Sequence, residues 1–314
     1  MRATFVRALV DLAADDSRIV LLTGDLGFTV VEPFADRFPE RFVNAGVAEQ
    51  NMVGVATGLA EAGFVPYVYS IATFATLRPY EFIRNGPILQ GLPVRIVGVG
   101  GGLDYGQNGP SHYALEDLAV MRVQPGMTVI APADFEQARS ALFATHDRPG
   151  PIYFRLGKDD SNVVPGLDGR FEVGHVQQIG AGGDVAIVAT GSIVREAGRA
   201  VEALAERGVG ATLLVVASVS PTPADDLAAV LAPLPAVVTV EGHYVTGGLG
   251  SLVSEVVAER GLGCRVVRCG VGDVRQGVSG SERFLHGLHG LDAVSIADTT
   301  CAALANLRKV EVGP

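Results

Sequence analysis

The sequence predicts an α/β protein of two open domains with mainly parallel sheets. Three observations carry that reading. Short apolar runs rich in β-branched residues alternate with helical patterns along the chain, as in parallel sheets covered by helices on both faces. The alternation lapses once, over residues 158–178 ("KDDSNVVPGLDGRFEVGHVQQ"), where Asp, Gly and Pro gather. A second strand–helix series of similar length then follows. The expected layout is a first domain over 1–157, a linker over 158–178 and a second domain over 179–314.

The first domain opens on "MRATFVRALVDLAADDS", whose apolar pattern carries Arg7 and Asp11. It reads as an amphipathic helix rather than a signal peptide. Buried strands are expected at 19–25, 64–70, 94–100, 127–132 and 151–156, with helices at 48–62, 73–90, 115–121 and 134–145. In the second domain strands are expected at 184–190, 210–218, 236–242 and 264–270, and helices at 193–207, 223–232, 247–260 and 294–308.

Composition narrows the function. Apolar residues make up 48% of the 314 and charged residues 18%, enough for a large core and against disorder. The net charge is −10 with no basic run, which speaks against nucleic acid. No apolar run approaches the length of a membrane span. Cys264, Cys269 and Cys301 show no C-x-x-C pairing. A zinc site or disulfide framework is therefore not expected, and a reducing cytoplasm fits.

The stretch "NAGVAEQNMVGVATGLAEAG" puts Glu49 at the start of a helix of small and apolar residues. Gly54 and Gly58, one turn apart, suggest a close-packed, buried helix. A surface glutamate there gains about 0.3–1 kcal/mol from the helix dipole. Burial instead has an effective cost of several kcal/mol per ion unless a partner answers it. No lysine or arginine lies nearby in the sequence, so the partner is expected to come from a ligand.

With its flanks, "RFVNAGVAEQNMVGVATGLAEAGFVPYVYSIATF" resembles the cofactor-pyrimidine segment of transketolases. "NGPSHYALED" and "PGMTVIAPAD" are similar to the blocks that follow in that family, and "DVAIVATGS" and "VVTVEGHYVTGGLGS" extend the resemblance into the second domain. The chain resembles a free-standing C-terminal section of a split transketolase. The resemblance implies the cofactor thiamine diphosphate, with Glu49 as the acid that bonds its aminopyrimidine ring and shuttles a proton. It also implies a partner chain carrying the Mg²⁺-diphosphate domain, most simply in an α2β2 assembly.

Other residues acquire roles in the same way. The resemblance places Phe74 and Tyr80 against the pyrimidine, although ordinary helix core would also explain them. It gives His112 contact with the sugar oxygens and a share in proton movement. Asn108 stands where an aspartate usually meets the donor hydroxyl, Gly100 where many relatives have another substrate histidine, and Leu77 where many have an aromatic. Arg155 is expected to bind the substrate phosphate or to form a surface salt bridge. Arg78 is a further phosphate candidate, and Asp25 a loop residue facing the site. Asp25 and Asn51 nearly mimic a G-D-G metal motif and its asparagine, but Leu26 breaks it. No metal ligand is therefore assigned to this chain. Glu241 and His243 are expected to have a structural or interface role. The implied reaction transfers a two-carbon ketol unit from a ketose phosphate to an aldehyde or other acceptor. The alternatives are a 2-oxo-acid dehydrogenase β subunit, a 1-deoxyxylulose-5-phosphate synthase, and a binding or regulatory module that keeps only the fold.

Overall fold

The structure, a computed structural model, describes residues 1–274 and 278–311. The expected end of the second domain at 314 lies outside them. The chain opens with helix α1 (Arg2–Asp15), β1 (Ile19–Thr23), α2 (Glu32–Arg37) and β2 (Phe42–Asn44). Then come α3 (Glu49–Glu61), β3 (Val65–Ile71), α4 (Ala72–Leu77), α5 (Tyr80–Ile83) and β4 (Arg95–Val99). α6 (Asp117–Arg122), β5 (Thr128–Ile130), α7 (Phe135–Thr145) and β6 (Ile152–Leu156) complete the first series. β1 and β4–β6 are buried at every position, which is why they read as unbroken apolar runs.

The second series comprises β7 (Gln177–Ile179), β8 (Val185–Thr190), α8 (Val194–Glu206), β9 (Ala211–Val215) and β10 (Ser218–Ser220). α9 (Ala224–Leu231), β11 (Ala236–Tyr244), α10 (Leu249–Glu259), β12 (Arg265–Val271), α11 (Glu282–Leu288) and α12 (Ala293–Glu311) follow. The two sheets run β10-β5-β6-β4-β3-β1-β2 and β12-β11-β8-β9-β7. All pairings are parallel except β10 on β5 and β7 on β9, each an antiparallel edge.

Three expectations change. The strand expected over 210–218 ends at Val215, and Ser218–Ser220 crosses over to cap the first sheet beside β5. The helix expected over 73–90 breaks at Arg78 and Pro79, resumes as α5, and passes into a wide turn over Arg84–Ile88 that accommodates Pro87. Proline has no N–H to donate and crowds the preceding turn, which accounts for both features. The expected linker is packed: Val164 and Leu167 are buried, and the carboxylate of Asp134 accepts from the Val164 N–H at 2.9 Å.

The two sheets share one frame. A single apolar cluster runs from Met52 and Val68 of the first sheet's layers through Ala131 and Val219 to Val237 and Leu252 of the second. Beside it lies a polar seam. Glu241 is buried, accepts from the Leu249 and Gly250 N–H groups at 2.7 and 2.8 Å, and so caps α10. Burial pushes its carboxyl up to about 7 against the pull of those two N–H groups. His243, also buried, accepts from the Ala119 N–H of α6 at Nε2 (3.3 Å) and donates from Nδ1 to the Tyr244 carbonyl (2.7 Å). Both ring nitrogens are committed to the neutral tautomer, and burial holds its pKa below the ordinary value.

That commitment has a pH signature. A histidine with a lowered folded-state pKa takes up protons in the unfolded chain first, so its stabilisation is full above the ordinary value of about 6.5 and drains away below it. In His243→Gln the amide oxygen replaces the acceptor but does not titrate. Denaturant melts of both proteins should show a constant gap in stability above pH 6.5 that narrows as the pH falls. A gap independent of pH would remove His243 from the acid sensitivity of the seam.

Candidate active site

Glu49 starts α3 and is 3% exposed. Its carboxylate is answered within the chain. Arg78 Nη1 donates to both oxygens at 3.0 and 2.9 Å, and Ser70 Oγ donates to Oε1 at 3.1 Å. This corrects the expectation that its partner comes from a ligand. Arg78 lies 29 residues on, at the break between α4 and α5, where the chain leaves the helix and turns the side chain back. The guanidinium is half exposed, so one side of it meets Glu49 and the other meets solvent.

The helix behind Glu49 is not buried all round. Met52, Val53, Ala56 and Ala60 pack on the sheet, while Asn51, Gly54, Val55 and Gly58 are exposed. No backbone lies close to Gly58, and the nearest atom to a Cβ at Gly54 would be the Phe82 ring at 3.9 Å. The glycines therefore leave an open face instead of a close contact. Around it stand exposed apolar side chains, with Val47 71% and Leu89 72% exposed and Phe82 and Leu77 less so.

Phe74 joins Glu49's counter-ion to His112. Arg78 lies over the Phe74 ring at 3.8 Å from its centroid, and His112 meets that ring edge-on at 5.1 Å. His112 Nδ1 and Ser111 Oγ are 3.0 Å apart. Tyr105, which the sequence reading passed over, sits 6.4 Å from the His112 ring. It occupies the space above Gly100, where φ is +76° and a Cβ would overlap its ring. Gly100 with an aromatic five residues on was the available signal. Ser70, the last polar residue of an apolar strand, was another.

The remaining predicted residues disperse. Tyr80 places its hydroxyl on the Val120 carbonyl (3.0 Å) and against Gln124, so it ties α5 to the end of α6. Asn108 is exposed at the rim of a small cavity of about 150 Å³ that it shares with Asp104, Tyr105 and Lys158. Asp25, at φ +58°, exchanges hydrogen bonds with the Asn44 side chain and does not meet Asn51. Among the described residues no group of three or more His, Cys, Asp or Glu side chains is placed to hold a metal ion.

Arg155 departs furthest from its expected role. It is buried in β6, with Nε on Asp117 Oδ2 at 2.7 Å and Nη2 on the carbonyls of Ala114 (2.8 Å) and Gly242 (2.9 Å). Tyr153 donates to the same Asp117 oxygen at 2.6 Å. The strand end that should have opened to a ligand is roofed by the second domain at Gly242. The guanidinium is an internal tie, with its Nε and Nη2 donors spent on protein acceptors. Gly101 and Gly102 allow this closeness: a Cβ at the first would lie 2.7 Å from Arg155 Nε, and one at the second 2.6 Å from the Gly242 carbonyl oxygen.

A buried acid, its arginine, an aromatic ring and a histidine on the ring's edge thus form one chain of contacts. The family model described as "Transketolase, pyrimidine binding domain" matches residues 1–163, just over half of the chain. The chain belongs to the transketolase family. The model described as "Transketolase, C-terminal domain" matches residues 174–296 of this transketolase-family chain. A putative transketolase C-terminal section of Methanocaldococcus jannaschii is 39% identical over 95% of the chain and 94% of its own length. A 6-deoxy-6-sulfo-D-fructose transketolase subunit of Clostridium sp. is 38% identical over 82% of the chain and 81% of its own. A solved structure described as a split-gene transketolase in an inactive β4 tetramer superposes with a TM-score of 0.87. It is 38% identical and covers 97% of both chains.

Arg155→Met separates a tie from a phosphate ligand. Losing one member of a buried ion pair typically costs about 3–5 kcal/mol. Chemical denaturation should show a loss of that order. An unchanged melt with only weaker substrate binding would return Arg155 to the substrate.

Proposed function

We propose that this transketolase-family chain is the C-terminal half of a two-chain, thiamine-diphosphate-dependent transketolase. It would move a two-carbon ketol unit from a ketose phosphate to an aldehyde or other acceptor. The observation that carries the reading is Glu49: a carboxylate 97% removed from solvent at the edge of an otherwise open helix face.

The residues present fit the pyrimidine end of the cofactor. When bound, thiamine diphosphate supplies the carbanion chemistry that breaks a bond beside a ketose carbonyl. This chain's share is placement and proton control. Glu49 holds a proton at the pyrimidine ring nitrogen, in a site dry enough to make that bond strong. The half-buried face of Phe74 supplies a plate for the ring. His112, on the edge of that plate, offers Nε2 to the sugar oxygens while Ser111 orients Nδ1. Arg78 is the predicted phosphate arginine whose guanidinium reaches solvent, and Asn108 and Asp25 stand on loops at the rim.

The Mg²⁺ and diphosphate end would lie on a partner chain. Support comes from Asp25 and Asn51, which do not converge, and from the open face of α3 with Val47, Val55, Phe82 and Leu89 around it. An exposed apolar patch of this kind marks a protein interface. The split-gene structural relative, described as inactive as a β4 tetramer, agrees with a half-enzyme that needs its partner. An α2β2 assembly is the simplest arrangement. No helix among the described residues is long and apolar enough to cross a membrane, and the three cysteines are free, which suits a cytoplasmic enzyme.

The purified chain should show no ketose-phosphate turnover with thiamine diphosphate and Mg²⁺. Activity should appear on adding a chain that bears the diphosphate-binding domain. Robust turnover by this chain alone would end the two-chain reading. In the reconstituted enzyme Glu49→Gln should lower kcat about 10²–10⁴-fold, the usual worth of a placed proton-transfer group. Size-exclusion profiles should not change. Full activity in that variant would take Glu49 out of the chemistry.

A further inference from the structure

The Glu49–Arg78 contact sets a condition on how the cofactor enters. We propose that Arg78 is a positioning residue that keeps Glu49 ionised in the cofactor-free site and yields it to the aminopyrimidine, so that cofactor binding takes up a proton. The inference rests on the reading of Glu49 as the pyrimidine acid.

The argument is one of donors and acceptors. Glu49 meets Ser70 from β3, the loop at Gly24 after β1, and Arg78 from the end of α4. Arg78 is the one charged group in contact with it among the described residues. Nη1 of Arg78 bridges both carboxylate oxygens, so those oxygens already have a donor. An ionised carboxylate only accepts hydrogen bonds. A neutral pyrimidine ring nitrogen also only accepts. The two cannot bond until one proton lies between them. When the ring nitrogen replaces the guanidinium, that proton must come from solvent, and the positive charge of Arg78 leaves the carboxylate as the proton arrives.

The device is built to let go. Arg78 is 42% exposed, so on releasing Glu49 its guanidinium can turn to solvent and clear the Phe74 ring that it now covers. It stands where Pro79 interrupts the helix, outside the regular hydrogen bonding of α4. Removing its charge leaves the buried carboxylate with the Ser70 hydroxyl alone. Burial disfavours an unpaired charge, so Glu49 then takes a proton before any cofactor arrives.

The test counts protons and does not depend on turnover. Thiamine diphosphate is titrated calorimetrically, at saturating Mg²⁺ and near-neutral pH, into the reconstituted two-chain enzyme. Buffers of different ionisation enthalpy are used. The slope of observed enthalpy against buffer enthalpy gives protons taken up. Contributions from the diphosphate and metal are common to all variants and cancel in the difference. Wild type should take up about one proton more than Arg78→Met, because the variant carries it already. Arg78→Lys, which restores a charge, should return the wild-type slope. Glu49→Gln, whose amide donates directly to the ring nitrogen, should match Arg78→Met. Equal slopes in wild type and Arg78→Met would overturn the role of Arg78. Absence of any binding heat in the wild-type complex would overturn the cofactor reading itself.

Discussion

A carboxylate taken out of water must be met by a donor, and much of the site follows from how Glu49 meets that demand. The buried start of α3 puts the acid beside β3, where Ser70, one residue before the strand's end, supplies a hydroxyl. The second donor comes from the next helix, and only a break in that helix lets Arg78 turn back. Pro79 is therefore part of the electrostatics as much as of the backbone. Phe74, one turn before Arg78, then becomes the surface on which the guanidinium rests and against which His112 stands.

The loop that carries His112 is placed by the second domain. Gly102 pairs with Ala114 and lies under Gly242. The Gly106 carbonyl accepts from the Gly280 N–H at 3.2 Å, and the Tyr113 hydroxyl donates to the carbonyls of Gly106 and Val278. The glycines between 100 and 109 look like slack in the sequence. Several instead mark where the loop is pressed against Tyr105, Arg155 and the second domain. The C-terminal domain thus fixes the geometry of a site to which it lends few side chains.

Much of the fold was legible because strands buried on both faces are written as apolar runs, and nearly every long strand lies within two residues of its expected place. What escaped was tertiary. Ser218–Ser220 is three residues of which two are serine, and nothing local says that it pairs with β5. Gly54 and Gly58 were read as close-packed when they are open, since a glycine pair looks the same on either face of a helix. Glu49 stood out because burial and charge conflict within one short stretch. Its link to Arg78 did not, because the contact depends on a bend at Pro79. That the Arg155 strand end lies beneath the second domain was not legible, because a strand end reads alike whether it opens to solvent or is covered.

The strand exchange at β10 bears on how such a chain can be divided. The first sheet is closed at β5 by residues that follow β9, far along the chain, and the Ala131 N–H bonds to the Ala217 carbonyl at the crossing. A fragment cut between the two families of strands would leave β5 as a bare edge and strip the apolar cluster beneath it. Unpaired edges of this kind invite strand-to-strand association. A cut between the two series would thus cost the first sheet an edge strand and bare apolar surface on both sides.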